Sequence, residues 1–484
     1  MTVGQGQFLW TAEQAAAATS GQWRDAWQAT GISIDSRTVQ PDDLFIALSG
    51  PRFDGHEFVA TALKNGAVAA MVHLSTDELT GECPAERLLE VRDTMIALEA
   101  LGRSARDRTD AQIIAVTGSV GKTGTKELLR LVLCAQGRVA FSEGNLNNHW
   151  GLPLSLARMP IDSKFGIFEM GMNHAGEILS LTKMARPHVA LITTVEPVHS
   201  AFFSSIEDIA DAKAEVFQGV EPGGAVVVNH DNPSYSRLVA AAEAAEIQSI
   251  RSFGTAVEAT DRLLGFETNG EGSDVEAEIG GQRIEYRIGV PGRHWVMNSL
   301  AVLAAVDLVA GDVKEAASRM VEMQGLTGRG RRHTVAVPGG AYVLIDESYN
   351  ASPASVTAAL HVLGQAQVSR DGRRIAVLGD MLELGPESEA RHAELADVLV
   401  AQNIDLVFTA GQYMATLSDA LPAAMRAGHA STTANLVPMV VATVRPDDVI
   451  SVKGSLGSRT GIIVDALLEL EFEGGDMPRA VNGE

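Results

Sequence analysis

Apolar and polar positions along this chain change period again and again. Short apolar runs with strand character are each followed by a stretch of helical spacing, and the alternation predicts strands crossed by helices. In residues 1–108 the run 32–37 alternates like a strand, Pro41-Asp42-Asp43 turns, and 44–48 reads as a second strand. Residues 50–56 form a loop, 57–65 a helix and 67–72 a strand, and the charged stretch 103–110 marks a boundary. Residues 109–330 carry strands at 113–117, 165–169, 189–194 and 225–228, the pattern of a parallel sheet buried between helices. The polar alternating segments 265–268 and 283–287 suit antiparallel additions at its edge, and Gly328-Arg329-Gly330-Arg331-Arg332 reads as a basic hinge. Residues 331–484 restart the alternation, with strands at 342–346, 374–378, 406–409 and 448–452 and helices at 353–364, 387–401 and 458–470. That is a second doubly wound unit; the polar tail 474–484 is expected to be disordered.

Composition narrows the class. A chain of 484 residues is too long for one core. Its formal charge of −23 argues against non-specific binding to nucleic acid or anionic membrane, so an anionic nucleotide must be held by local cations and backbone dipoles. No apolar run is long enough to span a bilayer, and the first residues lack the basic-then-apolar order of a signal peptide. Cys83 and Cys134 alone make neither a disulfide framework nor a Cys-rich zinc site. The expectation is a cytoplasmic protein.

The most specific chemistry lies where the strand 113–117 runs into Thr117-Gly118-Ser119-Val120-Gly121-Lys122-Thr123. Such a loop turns backbone N–H groups toward a polyphosphate at a helix N-terminus; Lys122 reaches the terminal phosphates and the Thr123 hydroxyl a magnesium ion. The general pattern would place a first glycine at Val116, so this loop is a shorter version. Other polar clusters sit at predicted strand ends, where open α/β sheets bind ligands. Glu169 suits a magnesium ligand or a helix cap, and His199 a ligand or a structural histidine. Taken alone, Lys213, between acidic neighbours on a helix, reads as a solvated salt-bridging face. Asn147 and Asn148 lie in a loop rich in amides, and Asn298 reads as a helix-start residue. The fold class expected is α/β in three domains: a small N-terminal α/β domain, a central P-loop ATPase-like parallel sheet, and a C-terminal Rossmann-like domain.

The order and spacing of these segments resemble the Mur ligases, ATP-dependent amide-forming enzymes of peptidoglycan precursor synthesis. The likeness runs over nearly the whole chain, and the short phosphate loop is that family's version. The segments 145–153, 169–178, 348–353 and 378–385 are most similar to the member that adds D-alanyl-D-alanine to a UDP-N-acetylmuramoyl-tripeptide. The resemblance implies ATP and Mg²⁺ as cofactors, those two small molecules as substrates, and a monomer. It implies that residues 1–108 bind the UDP-muramoyl substrate through Ser36 and Arg37, that 109–330 bind ATP, and that 331–484 contact ATP and the incoming dipeptide. Thr117, Gly118, Ser119, Gly121, Lys122 and Thr123 would hold ATP, with Asn298, Arg329, Asp346, Tyr349 and Asn350. Thr123, Glu169, His199 and Lys213 would hold the metals, Lys213 as a carbamate, and Lys122, Glu169, His199 and Lys213 would be catalytic. Asn147, Asn148, Asp380, Lys453, Ser455 and Arg459 would meet the substrates. Glu347, Ser352, Leu456 and the run 195–200 depart from the family's usual residues. A sister amide ligase, a kinase, and a protein that hydrolyses ATP only to change shape are the competing readings.

Overall fold

The computed structural model describes residues 8–50, 53–74, 78–197 and 202–471, and its fold is α/β throughout. The central sheet has nine strands, with Gln112–Thr117 between Phe165–Glu169 on one side and Val189–Ile192 on the other. From Val139–Phe141 to Asp261–Thr268 every neighbouring pair is parallel. The strands Ser273–Ile279 and Gln282–Ile288 then close the edge as an antiparallel meander.

The sequence of the phosphate-loop strand explains its central place. Ile113, Ile114, Ala115 and Val116 are all fully buried, but on alternate faces. Ile114 and Val116 pack in a core with Leu128, Val132 and the helix Arg293–Leu308. Ile113 and Ala115 pack in the opposite core, with Leu152, Leu181 and Met184. A strand covered on both faces can be apolar at every position, which is why its pattern does not alternate.

The N-terminal unit holds a five-stranded sheet, parallel except where Gln22–Trp23 pairs with Leu88–Glu90. Its core extends into the central unit, because Leu154 and Ala157 pack among Trp10, Leu98 and Leu101. Trp10 Nε1 donates to the Ala157 carbonyl at 2.9 Å and Arg106 Nε to that of Ala185 at 2.8 Å, both buried. The last unit is attached differently. Its sheet runs Arg331–Val337, Gly340–Glu347, Val449–Lys453, Arg374–Gly379, Leu406–Ala410, Arg426–Ala430, and only the first pair is antiparallel. Among the described residues its apolar clusters draw on no side chain of the other two units. Two units share a core; among the described residues the third keeps its apolar clusters to itself.

The structure departs from the sequence reading at several element ends. The strand expected at 32–37 ends at Ser33, because Asp35 Oδ1 accepts the Arg37 N–H at 3.0 Å and turns the chain. The helix expected over 387–401 is two, Ser388–Ala393 and Leu395–Ala401. Two edge strands escaped the sequence reading: Arg331–Val337, which begins inside the expected hinge with charged residues, and Arg426–Ala430, which has no apolar run. The tail 474–484 lies outside the described residues.

Candidate active site

The C-terminal ends of the central strands, the first turns of Arg293–Leu308 and the loops of the last unit enclose a cleft of about 1050 Å³. Ser119 to Thr123 form part of its floor. The phosphate loop is fastened from beside and beneath. Thr193 Oγ1 donates to the carbonyls of Thr117 and Val120 at 3.3 and 2.5 Å, Ser119 N donates to Thr194 O at 2.8 Å, and Glu196 N to Ser119 Oγ at 2.9 Å. Thr117 itself is fully buried under the loop.

Gly118 has φ +147°, and a Cβ there would lie 1.9 Å from Thr193 Oγ1. Gly118→Ala must therefore displace both the loop and its fastening. We expect it to weaken ADP binding, measured by isothermal titration, by at least about tenfold; unchanged affinity would show that the loop tolerates another path.

Lys122 begins the helix Lys122–Cys134, and its Nζ donates to Gly118 O at 2.6 Å and Ser119 O at 3.4 Å. Burial pulls its ammonium below the ordinary lysine range; the Glu169 carboxylate opposes that shift and Arg329 reinforces it. Thr123 Oγ1 donates to Glu169 Oε2 at 2.9 Å, and Asn147 Nδ2 donates to Glu169 Oε1 at 2.8 Å. Glu169 is 2% exposed at the end of its strand. A hydroxyl and a carboxylate meeting beside a phosphate loop are the hard oxygen donors that magnesium takes together with phosphate oxygens and water. Among the described residues no three His, Cys, Asp or Glu side chains cluster as a metal cage.

Asn298 is not a helix-start residue. Gly292 precedes the first turn of Arg293–Leu308, and Asn298 lies in the second, its amide so close to Gly121 that a Cβ there would be 3.1 Å from Asn298 Oδ1. Lys213 is not on a solvated face: it is 2% exposed and has no ion-pair partner among the described residues. Burial, then the charge of Lys122, pulls its ammonium well below the ordinary value. The helix Ile206–Ala214 buries Lys213 with Ile209, Ala210 and Ala212 and turns Asp211 outward, held by Arg237 at 2.5 Å. His199 lies outside the described residues.

The junction with the last unit brings Arg329 over the Tyr349 ring, 4.1 Å from its centroid, and both line the cleft with Asn350. Asp346 is buried behind them. Its Oδ2 accepts Gly328 N at 2.7 Å and its Oδ1 the Ser348 hydroxyl at 2.6 Å, so it shapes the junction. Lys453 lines the cleft and donates to Asn350 O at 3.0 Å and Glu347 Oε2 at 3.3 Å. Three other candidates lie outside the lining. Asp380 Oδ1 accepts Met414 N at 2.9 Å, Ser455 Oγ accepts Leu382 N at 3.0 Å, and Arg459 is exposed in a left-handed turn at φ +55°. Ser36 and Arg37 lie on the N-terminal unit, away from this cleft, where Arg37 grips Asp35 at 2.6 Å.

Sequence reasoning passed over Thr193 and Thr194, Lys126 and Trp295. The Trp295 ring lies over the phosphate-loop helix, 3.0 Å from where a Cβ on Gly124 would be. The two threonines follow an apolar strand, the only local sign that their hydroxyls face a loop.

A phosphate loop at the carboxyl ends of a parallel sheet, faced by a second doubly wound unit, defines a P-loop nucleotide-using protein whose last domain completes the site. Sequence profiles agree at each unit: the Mur ligase family catalytic domain matches residues 28–107, the Mur ligase middle domain 116–306, and the Mur ligase glutamate ligase domain 330–456. The chain belongs to the Mur ligase family. It is 31% identical to the UDP-N-acetylmuramoyl-tripeptide–D-alanyl-D-alanine ligase of Rickettsia prowazekii, over 95% of this chain and 99% of that one. It is 33% identical to the enzyme of the same name from Bacillus subtilis, over 91% and 93%. A crystal structure of MurF from Acinetobacter baumannii is similar with a TM-score of 0.81 and 28% identity, over 95% of this chain and 99% of that chain.

Proposed function

We infer that the protein is an ATP-dependent ligase joining D-alanyl-D-alanine to UDP-N-acetylmuramoyl-tripeptide. The observation that carries the reading is the chain Thr123–Glu169–Asn147, which ties the phosphate-loop helix to the amide-rich loop. The printed names of relatives matched over nearly their whole length support it. A carboxylate oxygen of the tripeptide attacks the ATP γ-phosphorus, and the bond to the β-phosphate bridging oxygen breaks, giving an acyl phosphate and ADP. The dipeptide amine then attacks the acyl carbon, loses its proton, and expels phosphate as the amide forms. The chain's own part is to hold anions together. Backbone N–H groups of 118–122 cradle phosphates, Lys122 offsets their charge, and Asn147 fixes Glu169. Bound magnesium, held by Thr123 and Glu169, would offset phosphate charge and polarise the γ-phosphoryl group. Water must be kept from the acyl phosphate, and a last unit that among the described residues shares no apolar core with the others is free to close over the cleft.

The reading includes a monomer and a cytoplasmic location, where ATP is available. No described helix is long and apolar enough to cross a membrane. The test is ADP release with the UDP-muramoyl-tripeptide: it should require D-alanyl-D-alanine and yield the pentapeptide by mass spectrometry. A stable phosphorylated product would indicate a kinase, and dipeptide-independent hydrolysis a nucleotide switch. Running diaminopimelate- and lysine-containing tripeptides in parallel assigns the third residue; no pentapeptide with either would sink the reading.

A further inference from the structure

One fully buried lysine has no part in the chemistry above. Lys126 lies one helical turn beyond Thr123 with its side chain 0% exposed. Its ammonium donates to Ser142 O at 2.7 Å and Gly144 O at 3.2 Å and pairs with Glu127 Oε1 at 3.1 Å. Ser142 and Gly144 begin the loop 142–150, which presents Asn145, Asn147 and Asn148 to the cleft. The rest of that loop is pinned just as firmly. Asn147 bonds Glu169 through its side chain, and its carbonyl accepts Gly171 N at 2.8 Å. Glu143 pairs with Arg158 at 3.2 Å, and Arg158 Nε donates to Ile32 O at 2.8 Å in the N-terminal unit. Leu146 packs against that unit's core. The loop therefore bridges the N-terminal unit and the phosphate-loop helix.

We propose that Lys126 is a positioning residue for the long substrate: it locks the carbonyl end of the loop 142–150 to the phosphate-loop helix and so sets where the tripeptide carboxylate lies relative to the γ-phosphate. The proposal rests on the ligase reading. Its mark is selectivity. Among the described residues the Lys126 side chain makes no hydrogen bond or ion pair to the phosphate loop or its fastening, so its loss should disturb the long substrate and spare the nucleotide. A purely structural lysine would disturb both.

The experiment compares the full-length wild type with Lys126→Met, which keeps the side-chain bulk but leaves two carbonyls without a donor, and Lys126→Gln, which keeps a shorter donor. Steady-state kinetics with each substrate varied in turn are paired with ADP binding by calorimetry. We expect KM for the UDP-muramoyl-tripeptide to rise at least about tenfold in Lys126→Met and less in Lys126→Gln, with KM for ATP and ADP affinity within about threefold of wild type. Equal changes in both KM values, a fall in kcat alone, or no change overturns the proposal. So does loss of ADP binding in both variants, which would make Lys126 a support of the phosphate loop itself. Wild type failing to form pentapeptide in the same assay would sink the ligase reading instead, so the two failures are told apart.

Discussion

Lys122→Met should lower kcat by about 10³-fold while leaving the thermal unfolding midpoint close to that of wild type. The stability half of this expectation follows from what Lys122 touches. Its Nζ rests on two loop carbonyls, Gly118 O and Ser119 O, at 2.6 and 3.4 Å. Both belong to a loop already fastened by Thr193 and Ser119, so losing the ammonium does not release the loop. The catalytic half follows from charge. Transfer of a phosphoryl group to a carboxylate brings two anions together, and one donor to developing charge in a secluded site is worth about 10²–10³ in rate. A full positive charge belongs at the upper end of that range. The lowered affinity of Lys122 for its proton adds a pH signature. Its charged form is lost as pH rises through a value below the ordinary 10.5, so kcat/KM for ATP should show an alkaline limb earlier than an ordinary lysine would give. ADP release assayed across pH reads both effects. A loss under about tenfold, or a variant that keeps the alkaline limb, would assign the charge to another group.

Much of this site was legible in the chain, because the phosphate loop, the strand before it and the helix after it are contiguous. Their residue types satisfy local rules: a β-branched run, glycines where φ is positive, and a lysine and a threonine at a helix start. The element ends 165–169 and 353–364 were readable for the same reason, and both match the structure. What stayed hidden depends on contacts between segments far apart in sequence. Lys213 has acidic neighbours on either side, and only tertiary packing shows that it faces inward while Asp211 faces solvent and Glu215 accepts the N–H groups of Gly176 and Leu179. Asn298 looked like a cap because glycine and charged residues precede it; the helix starts earlier, and its second turn crosses Gly121. Lys126 gave no signal, since its acceptors are main-chain carbonyls near residue 143. Asp346, Asp380 and Ser455 sit at strand ends, as a ligand-binding residue would, yet their polar atoms are taken up within the last unit or its junction.

Replacing Lys213 with methionine should move activity and stability in opposite directions. Among the described residues no carboxylate pairs with Lys213, and burial with the nearby Lys122 charge disfavours its ammonium. In the unfolded chain the same lysine stays protonated up to about its ordinary value of 10.5. Between the lowered native value and 10.5 the unfolded state thus binds more protons, and stability rises with pH across that window. At neutral pH the buried lysine therefore costs stability, and an apolar side chain of similar length removes the cost. A gain of about 1–3 kcal/mol is expected at pH 7, shrinking toward the ordinary lysine pKa. Activity should fall by at least about 10²-fold on the proposal that this neutral amine beside Lys122 adds carbon dioxide, losing one proton to become an anionic carbamate that offsets that cation. Urea unfolding and ADP release in buffer stripped of carbon dioxide measure the two effects on one preparation, and added bicarbonate should restore wild-type turnover but not that of Lys213→Met. A variant that is both less stable and inactive would mean that Lys213 is held by a partner in the native state, and one that is more stable and fully active would remove Lys213 from the chemistry. The expected pairing of lost activity with gained stability is the signature of a residue kept for its reaction against the preference of the fold.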